Sequence, residues 1–184
     1  MIGWWAAFSL TMEKFEKALD PGATAGCDFS ILYQCSANLQ SWQGSVFGFP
    51  NPIIGLACWI APIVVGVAML AGARFARWFW VLFWGGFLFA FGFVAWLISQ
   101  SIYELGTLCP WCMVTWSVTI PSFYAVTLHL LRIGVLPISE RARERADGLM
   151  VWVPLAAFLS YVLVLLLAQF QLDAIPNLWR SLFG

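Results

Sequence analysis

Long runs of apolar residues alternate with short polar segments along this chain. Four of these runs, residues 52–72, 78–99, 109–131 and 149–170, match the roughly 20 residues that a helix needs to cross a bilayer. A backbone in lipid has to satisfy its own hydrogen bonds, which a helix does within one segment. The pattern therefore predicts an all-α membrane protein built as a helical bundle.

A fifth predicted span, residues 1–19, changes in composition along its length. It is apolar as far as Met12 and then carries Glu13, Lys14, Glu16 and Lys17. Glu13 and Lys17 stand four residues apart, a spacing that supports a helix, so we expect the helix to continue out of the bilayer. The apolar start is abrupt, and we expect a polar, basic extension to precede it.

The five spans together predict one transmembrane domain, residues 1–171. An extracytoplasmic loop, residues 20–51, joins the first two spans, and within it residues 36–42 favour a short helix. Residues 172–184 are predicted to form an interfacial tail that carries Trp179, Arg180 and Phe183.

Composition and charge agree with a membrane location and give an orientation. Charged residues make up 10% of the chain, against about 25% in soluble domains. The turn at residues 73–77 and the loop at 132–148 carry six of the nine lysines and arginines. The positive-inside rule places both in the cytoplasm, which puts the N-terminus inside and segments 20–51 and 100–108 outside. There is no basic stripe of the kind that binds nucleic acid, which excludes that class of partner.

Four of the five cysteines fall on the outer side in this topology, where disulfides persist. Cys109 and Cys112 form a Cys-x-x-Cys motif at the start of a predicted membrane helix, with Pro110 in the first turn, where proline is favoured. The positive end of a helix stabilises a thiolate, the reactive form in disulfide exchange. With Cys27 and Cys35 in the preceding outer loop, the pattern predicts a membrane thiol oxidoreductase.

Other uses of these cysteines remain open at this point. Structural zinc sites normally combine two close Cys-x(2–4)-Cys pairs, whereas one pair here is eight residues apart. Two structural disulfides in a non-catalytic scaffold or transporter are a second alternative, although a bridge within one helical turn adds little stability. Transport would need charged residues near the centres of the spans, and the sequence has none there. The fifth cysteine, Cys58, is predicted to be a buried packing residue, His129 a packing residue and Glu104 a solvated one.

A dithiol at a membrane surface needs an electron acceptor, either a soluble thiol-disulfide protein or a quinone in the lipid. Several residues near the outer face are suited to hold a quinone. The candidates are Ser41 and Asn51 as hydrogen-bonding groups and Leu39, Phe47, Trp111 and Trp116 as apolar walls. Trp116 lies one turn after Cys112 on the same helical face. Asn51 has an alternative function as the N-cap of the span that begins at Pro52.

These motifs together resemble the vitamin K epoxide reductase family in its bacterial form, over about residues 11–131. The resemblance is carried by Cys27-Asp28, Cys35-Ser36, the turn at residues 47–52 and Cys109-Pro110-Trp111-Cys112. It implies a four-helix bundle around a quinone site, with a fifth transmembrane helix, in a bacterial inner membrane. Such a protein promotes disulfide formation outside the cytoplasm.

The resemblance also implies roles for the individual cysteines. Cys27 would meet a thioredoxin-fold (DsbA-like) protein, and Cys35 would exchange with Cys109. Cys112 would face the quinone, which would be menaquinone, phylloquinone or ubiquinone. A DsbB-like oxidase would carry its two cysteine pairs in the opposite order.

The chain departs from the family pattern at two places. Position 116 is Trp where the animal enzymes have Tyr, which leaves the hydrogen bonding at that position open. Many bacterial members continue into a thioredoxin-like domain after the fifth span, whereas this sequence ends at Gly184, so the partner is expected to act in trans.

Overall fold

A computed structural model describes residues 1–20, 22, 25–135, 139–173, 175–176 and 179 of the chain. Its α-helices are α1 (Ile2–Leu19), α2 (Ser36–Gln40), α3 (Asn51–Cys58), α4 (Ile60–Leu70), α5 (Arg77–Ser99), α6 (Pro110–Arg132), α7 (Glu140–Leu149) and α8 (Val153–Leu172). Shorter turns of 3-10 helix cover Trp42–Ser45 and Met150–Trp152, and a π-helical segment, Gln100–Leu105, extends α5.

Within the described residues, four helices are long and apolar enough to cross a membrane. They are Asn51–Leu70, Arg77–Leu105, Pro110–Arg132 and Arg143–Leu172. Most of their surface is not buried inside the protein, so their apolar side chains suit contact with lipid. The predicted fold class, an all-α membrane protein, is confirmed.

The second predicted span is divided between α3 and α4. The helix is interrupted at Trp59, three residues before Pro62. Proline has no N–H to donate to the carbonyl one turn earlier, here that of Cys58, and this explains the break. Cys58 is exposed at the end of α3, so the prediction that it is a buried packing residue is wrong. Cys58 borders an open apolar cavity between α1 and α3 to α6, which leaves its side chain accessible.

Helix α1 packs against α3 and α6, although its four charged residues keep it out of the group of four apolar helices. The approach to α3 is close at Gly3. A Cβ atom at this position would lie 2.3 Å from the ring of Trp59, so only glycine fits there. Whether α1 is the fifth membrane span stays a prediction.

Helix α6 occupies the centre of the bundle, where it contacts α1, α5, α7 and α8. The ring of Phe91 in α5 stacks on Phe123 of α6 with centroids 4.5 Å apart. Polar contacts add to this packing, as Trp84 Nε1 donates to Thr127 Oγ1 at 2.9 Å. Hydrogen bonds of this kind, between side chains of neighbouring helices, help to hold membrane bundles together.

The two ends of the bundle differ in character. At one end the guanidinium of Arg77 donates to the backbone oxygen of Gly134 at 2.8 Å, so the two basic turns lie together. Arg132 and Asp147 form an ion pair of 2.7 Å at the same end. His129 is a packing residue in this region, with its ring 4.6 Å from that of Trp80. The cysteine motifs lie at the opposite end. Of the predicted tail, Arg180 and Phe183 lie outside the described residues.

Candidate active site

Two backbone segments meet at the cysteine end of the bundle. The N–H of Leu108 donates to the oxygen of Leu32 at 2.7 Å, and the N–H of Gln34 donates to the oxygen of Leu108 at 3.2 Å. These bonds form an isolated parallel bridge between the outer loop and the segment that leads into α6. The bridge pairs Tyr33 with Leu108, so Cys35 lies two residues after one bridged residue and Cys109 lies directly after the other. The bridge therefore brings the backbones of the two cysteines close together.

The sulfur atoms of three cysteines form a continuous group. Cys27 and Cys35 are joined by a disulfide, with their Cα atoms 5.7 Å apart. The Sγ of Cys109 lies 3.2 Å from the Sγ of Cys35. Cys35 and Cys109 are both fully buried, so water does not reach this contact between the two pairs.

The start of α6 fixes the second pair. Cys109 is the N-cap of the helix, and its Sγ accepts a hydrogen bond of 3.4 Å from the backbone N–H of Cys112. Pro110 occupies the first turn, where its missing N–H is not needed. Cys109 and Cys112 both carry free thiols, and Cys112 is half-buried.

Asp28 holds the first pair in place from within the loop. One carboxylate oxygen accepts the backbone N–H groups of Cys35 at 2.7 Å and Ser36 at 3.0 Å, and the other accepts the hydroxyl of Ser36. Burial acts to raise the pKa of Asp28, but the hydrogen bonds from Ser36 and Cys35 outweigh it and lower the pKa below its ordinary value. Asp28 is therefore ionised and caps the start of α2.

Two residues of α1, Glu13 and Lys14, bind the outer loop that carries Cys27 and Cys35, called here the redox loop. The sequence analysis used their charges only to predict that the helix continues out of the bilayer. Both carboxylate oxygens of Glu13 accept the N–H of Gly26 at 3.0 Å, next to Cys27. The ammonium of Lys14 donates to the backbone oxygen of Leu39 at 2.5 Å, at the end of α2. The signal available in the sequence was that the charges of α1 begin at Glu13 and Lys14, directly after its apolar part.

An apolar cavity of about 380 Å³ lies beside the cysteines, between α1, the outer loop and α3 to α6. Four of the predicted quinone-site residues line it, as does Cys112: they are Leu39, Ser41, Asn51 and Trp116. Trp116 is buried in the hydrophobic core at the same time. The cavity therefore opens directly onto Cys112 of the second cysteine pair.

The other two predicted wall residues, Phe47 and Trp111, do not line this cavity. Phe47 packs on the outside of the wall, with its ring 5.7 Å from that of Phe93, which does line the cavity. Trp111 follows Cys109 by two residues and so points to another side of α6. It lines a small depression beside Cys27, together with Glu13. Proximity in sequence to the motifs was not enough to place either ring.

The polar groups of Ser41 and Asn51 are occupied by backbone groups of the outer loop between residues 38 and 46. Ser41 Oγ donates to the oxygen of Asn38 at 2.7 Å and accepts the N–H of Gly44 at 3.2 Å. Asn51 Nδ2 donates to the oxygen of Gln43 at 2.6 Å, and Asn51 Oδ1 accepts the N–H of Val46 at 3.2 Å. Asn51 is the first residue of α3 and makes no side-chain cap, so its alternative function as an N-cap is not the one observed.

Comparison with known proteins places these residues in a family. The model of the vitamin K epoxide reductase family matches residues 1–127, which include all five cysteines and both sides of the sulfur contact. No curated protein and no solved structure matches the chain. The matched segment covers more than two thirds of the 184 residues, and the same chain carries four helices suited to a membrane. The protein thus belongs to the vitamin K epoxide reductase family and is a membrane oxidoreductase.

Proposed function

We propose that the protein takes electrons from a thioredoxin-fold (DsbA-like) partner at Cys27/Cys35 and passes them through Cys109/Cys112 to a quinone. The observation that carries this proposal is the distance of 3.2 Å between the sulfurs of Cys35 and Cys109, which belong to different pairs. Two structural disulfides have no need of such contact. A relay depends on it, because exchange begins when one sulfur reaches another.

Exchange at this contact balances without any further reactant. In the proposed direction, the thiolate of Cys35 attacks Cys109 of a Cys109–Cys112 disulfide, the Cys35–Cys109 bond forms, the Cys109–Cys112 bond breaks, and Cys112 leaves as the thiolate. The thiolate of Cys27 then attacks Cys35 and releases the thiolate of Cys109, which completes the Cys27–Cys35 disulfide that the structure contains. One electron pair therefore passes between the loop and α6 for each disulfide exchanged.

The partner would act at Cys27, which has only 3% of its surface exposed. Its thiolate would attack Cys27 and release the thiolate of Cys35, leaving a mixed disulfide between Cys27 and the partner. The depression formed by Glu13, Cys27, Phe29 and Trp111 is the nearest open surface, and the exposed ring of Phe29 gives it an apolar edge. Access to the sulfur requires the loop to move at this point.

The cavity beside Cys112 fits a quinone in its size and chemistry. Its volume lies within the range of about 300–1,000 Å³ that is usual for small-molecule sites, and its lining is apolar with a few polar groups. Leu39 and Trp116 would hold the ring, and Ser41, Asn51 and Gln43 border its polar end. When bound, a quinone would supply an acceptor for two electrons and two protons from the Cys109/Cys112 dithiol.

The proposed orientation follows from the basic turns. Arg77 and Arg132 lie at the end of the bundle opposite the cysteines, so a cytoplasmic location for the turns places the cysteines outside. A bacterial inner membrane would then present the redox loop to partners in a compartment where disulfides persist.

Trapping of the intermediate tests the proposal. Cys112→Ser removes the thiol that would release Cys35 from the Cys35–Cys109 disulfide, so only Cys27 can reverse its formation. The disulfide should therefore accumulate in exchange with Cys27–Cys35 and be detected by mass spectrometry of the acid-quenched, alkylated and digested protein. The matched variant Cys109→Ser should show no such disulfide, and both variants should lose quinol formation. If Cys112→Ser accumulated no Cys35–Cys109 bond while the wild type reduced quinone, the relay would be wrong. A mixed disulfide between Cys27 and a soluble protein in Cys35→Ala would exclude a non-catalytic scaffold.

A further inference from the structure

The side chain of Gln43 is buried but incompletely hydrogen-bonded. Gln43 has 6% of its surface exposed, and its Nε2 donates to Gln100 Oε1 at 3.2 Å. Its own Oε1 is buried and accepts no hydrogen bond from any described residue. A buried carbonyl without a donor costs free energy, and such groups in native proteins need an explanation.

The location of this amide connects it with the redox site. Gln43 and Gln100 both line the apolar cavity that Cys112 and Trp116 also line. Gln100 begins the π-helical segment Gln100–Leu105, and π-helical turns are frequent at functional sites. The amide pair is therefore a polar element in a cavity whose other walls are mainly apolar.

The backbone of Gln43 is held firmly from two sides. Asn51 Nδ2 donates to the oxygen of Gln43 at 2.6 Å. Gly44 fits closely against α2, since a Cβ atom there would lie 2.3 Å from the backbone oxygen of Asn38. These contacts fix the backbone from which the Gln43 side chain extends, and the hydrogen bond to Gln100 holds the amide itself. Asn51 is in this way a positioning residue for Gln43.

The acceptor without a donor, Gln43 Oε1, indicates that the missing ligand group is a hydrogen-bond donor. A quinone carries carbonyl oxygens, which only accept hydrogen bonds, whereas the reduced hydroquinone carries hydroxyl groups, which donate them. The second hydrogen of Gln43 Nε2 can be donated to a quinone carbonyl, whereas Gln43 Oε1 can accept the hydrogen of a hydroquinone hydroxyl. Only the reduced form meets the acceptor that the protein leaves without a donor.

We propose that Gln43, oriented by Gln100, recognises the head group of the redox ligand in the cavity and selects its hydroquinone form through Oε1. This inference rests on the proposed quinone-dependent function and adds the residue that determines which redox form is favoured. Tighter binding of the reduced form makes the bound ligand a stronger oxidant, which drives electrons out of the cysteine relay.

Ligand binding without turnover tests the inference. The purified protein in lipid nanodiscs would be titrated, without oxygen, with decylubiquinone and separately with decylubiquinol, following quenching of tryptophan fluorescence. In Gln43→Leu we expect the Kd for the quinol to rise about 5- to 10-fold, the effect of one lost hydrogen bond, with a smaller rise for the quinone. A tenfold change in the ratio of the two Kd values corresponds to about 30 mV in the potential of the bound couple.

Matched variants separate recognition from a general loss of folding. Gln43→Asn keeps an amide but withdraws it by one methylene, and we expect the same selective loss from it. Gln100→Leu should weaken quinol binding less, and Gln40→Leu, an exposed position outside the cavity lining, should change neither Kd. Equal weakening of both ligands in Gln43→Leu and Gln43→Asn, or no weakening, would overturn the inference and leave the proposed function standing. A wild type that bound neither ligand would overturn both.

Discussion

The backbone N–H of Leu108 donates a hydrogen bond of 2.7 Å to the carbonyl of Leu32, and this bond aligns the two cysteine pairs. Leu32 precedes Cys35 by three residues and Leu108 directly precedes Cys109. Because the bond joins backbones, it fixes the positions of both cysteines independently of their side chains. The distance of 3.2 Å between their sulfurs follows from this alignment.

Removing that donor should slow exchange between the pairs. In Leu108→Pro the N–H is lost, so we expect the Cys35–Cys109 disulfide to form at least about 10-fold more slowly in the Cys112→Ser background. Leu108→Ala keeps the N–H but loses buried side-chain volume, and it serves as the matched control for packing. The rate is measured by acid quenching and alkylation. Equal rates in the two variants would show that the backbone bridge does not hold Cys35 and Cys109 in position for exchange.

Asp28→Asn should loosen the loop around the first pair. The neutral amide no longer offers two anionic oxygens to Cys35 and Ser36, and hydrogen bonds to charged groups are about twice as strong as neutral ones. We expect dithiothreitol to reduce the Cys27–Cys35 disulfide several-fold faster in the variant. Asp20→Asn, in the same loop but away from the cysteines, should leave that rate unchanged.

Asp28 also gives the loop a pH dependence of known sign. Its pKa is lowered in the folded protein, so its stabilising effect is complete above the ordinary value of 3.8 and is lost as the pH falls through the lower folded value. We expect the rate at which dithiothreitol reduces the Cys27–Cys35 disulfide, divided by the concentration of its thiolate form, to be constant from about pH 8 to 5. This normalised rate should rise only below about pH 4. The Asp28→Asn variant should show no such rise.

Glu13 and Lys14 should hold the redox loop in its folded conformation. In Glu13→Gln the carboxylate that accepts the N–H of Gly26 is lost, and we expect hydrogen exchange at that amide to accelerate about 10-fold. Lys14→Met should have the corresponding effect on the end of α2. Glu16→Gln and Lys17→Met are the matched controls in the same helix. Unchanged exchange at Gly26 in Glu13→Gln would contradict the interaction.

A double-mutant cycle should separate a positioning role of Asn51 from direct ligand contact. If Asn51 acts by holding the turn of Gln43, Asn51→Ala should weaken quinol binding in the wild type but add little in Gln43→Leu. A residue that contacts the ligand independently would give additive losses in binding free energy, so that its fold-change in Kd would be the same in both backgrounds. Additive losses would assign Asn51 to the ligand itself, as the sequence analysis expected.

The sequence predicted the features that depend on local composition. Four apolar runs were visible because lipid requires long helices, and the cysteine motifs were visible by their spacing. The contact between Cys35 and Cys109 could not be derived from spacing, since it depends on a backbone bridge between segments 76 residues apart, the separation of Leu32 and Leu108. Family resemblance alone suggested it.

Side-chain direction accounts for most of the remaining differences. Phe47 and Trp111 are near the motifs in sequence, yet helix and turn geometry direct both rings away from the cavity. Gln43 was missed because a single glutamine near a membrane interface has no distinguishing pattern. Its importance is visible only from its burial and from the acceptor left without a donor.

The hydrogen bonds from α1 to the redox loop tie the height of the loop to the position of α1, the predicted fifth membrane span. Each residue of a helix advances about 1.5 Å along its axis, so a change in the tilt or depth of α1 moves Glu13 and Lys14 relative to α6. Helices respond in this way to bilayers of different thickness. We therefore expect the rate of exchange between the cysteine pairs to vary with lipid chain length, and this dependence to weaken in Glu13→Gln. With α1 as the predicted fifth span, the thickness of the membrane would become a variable of the proposed redox reaction.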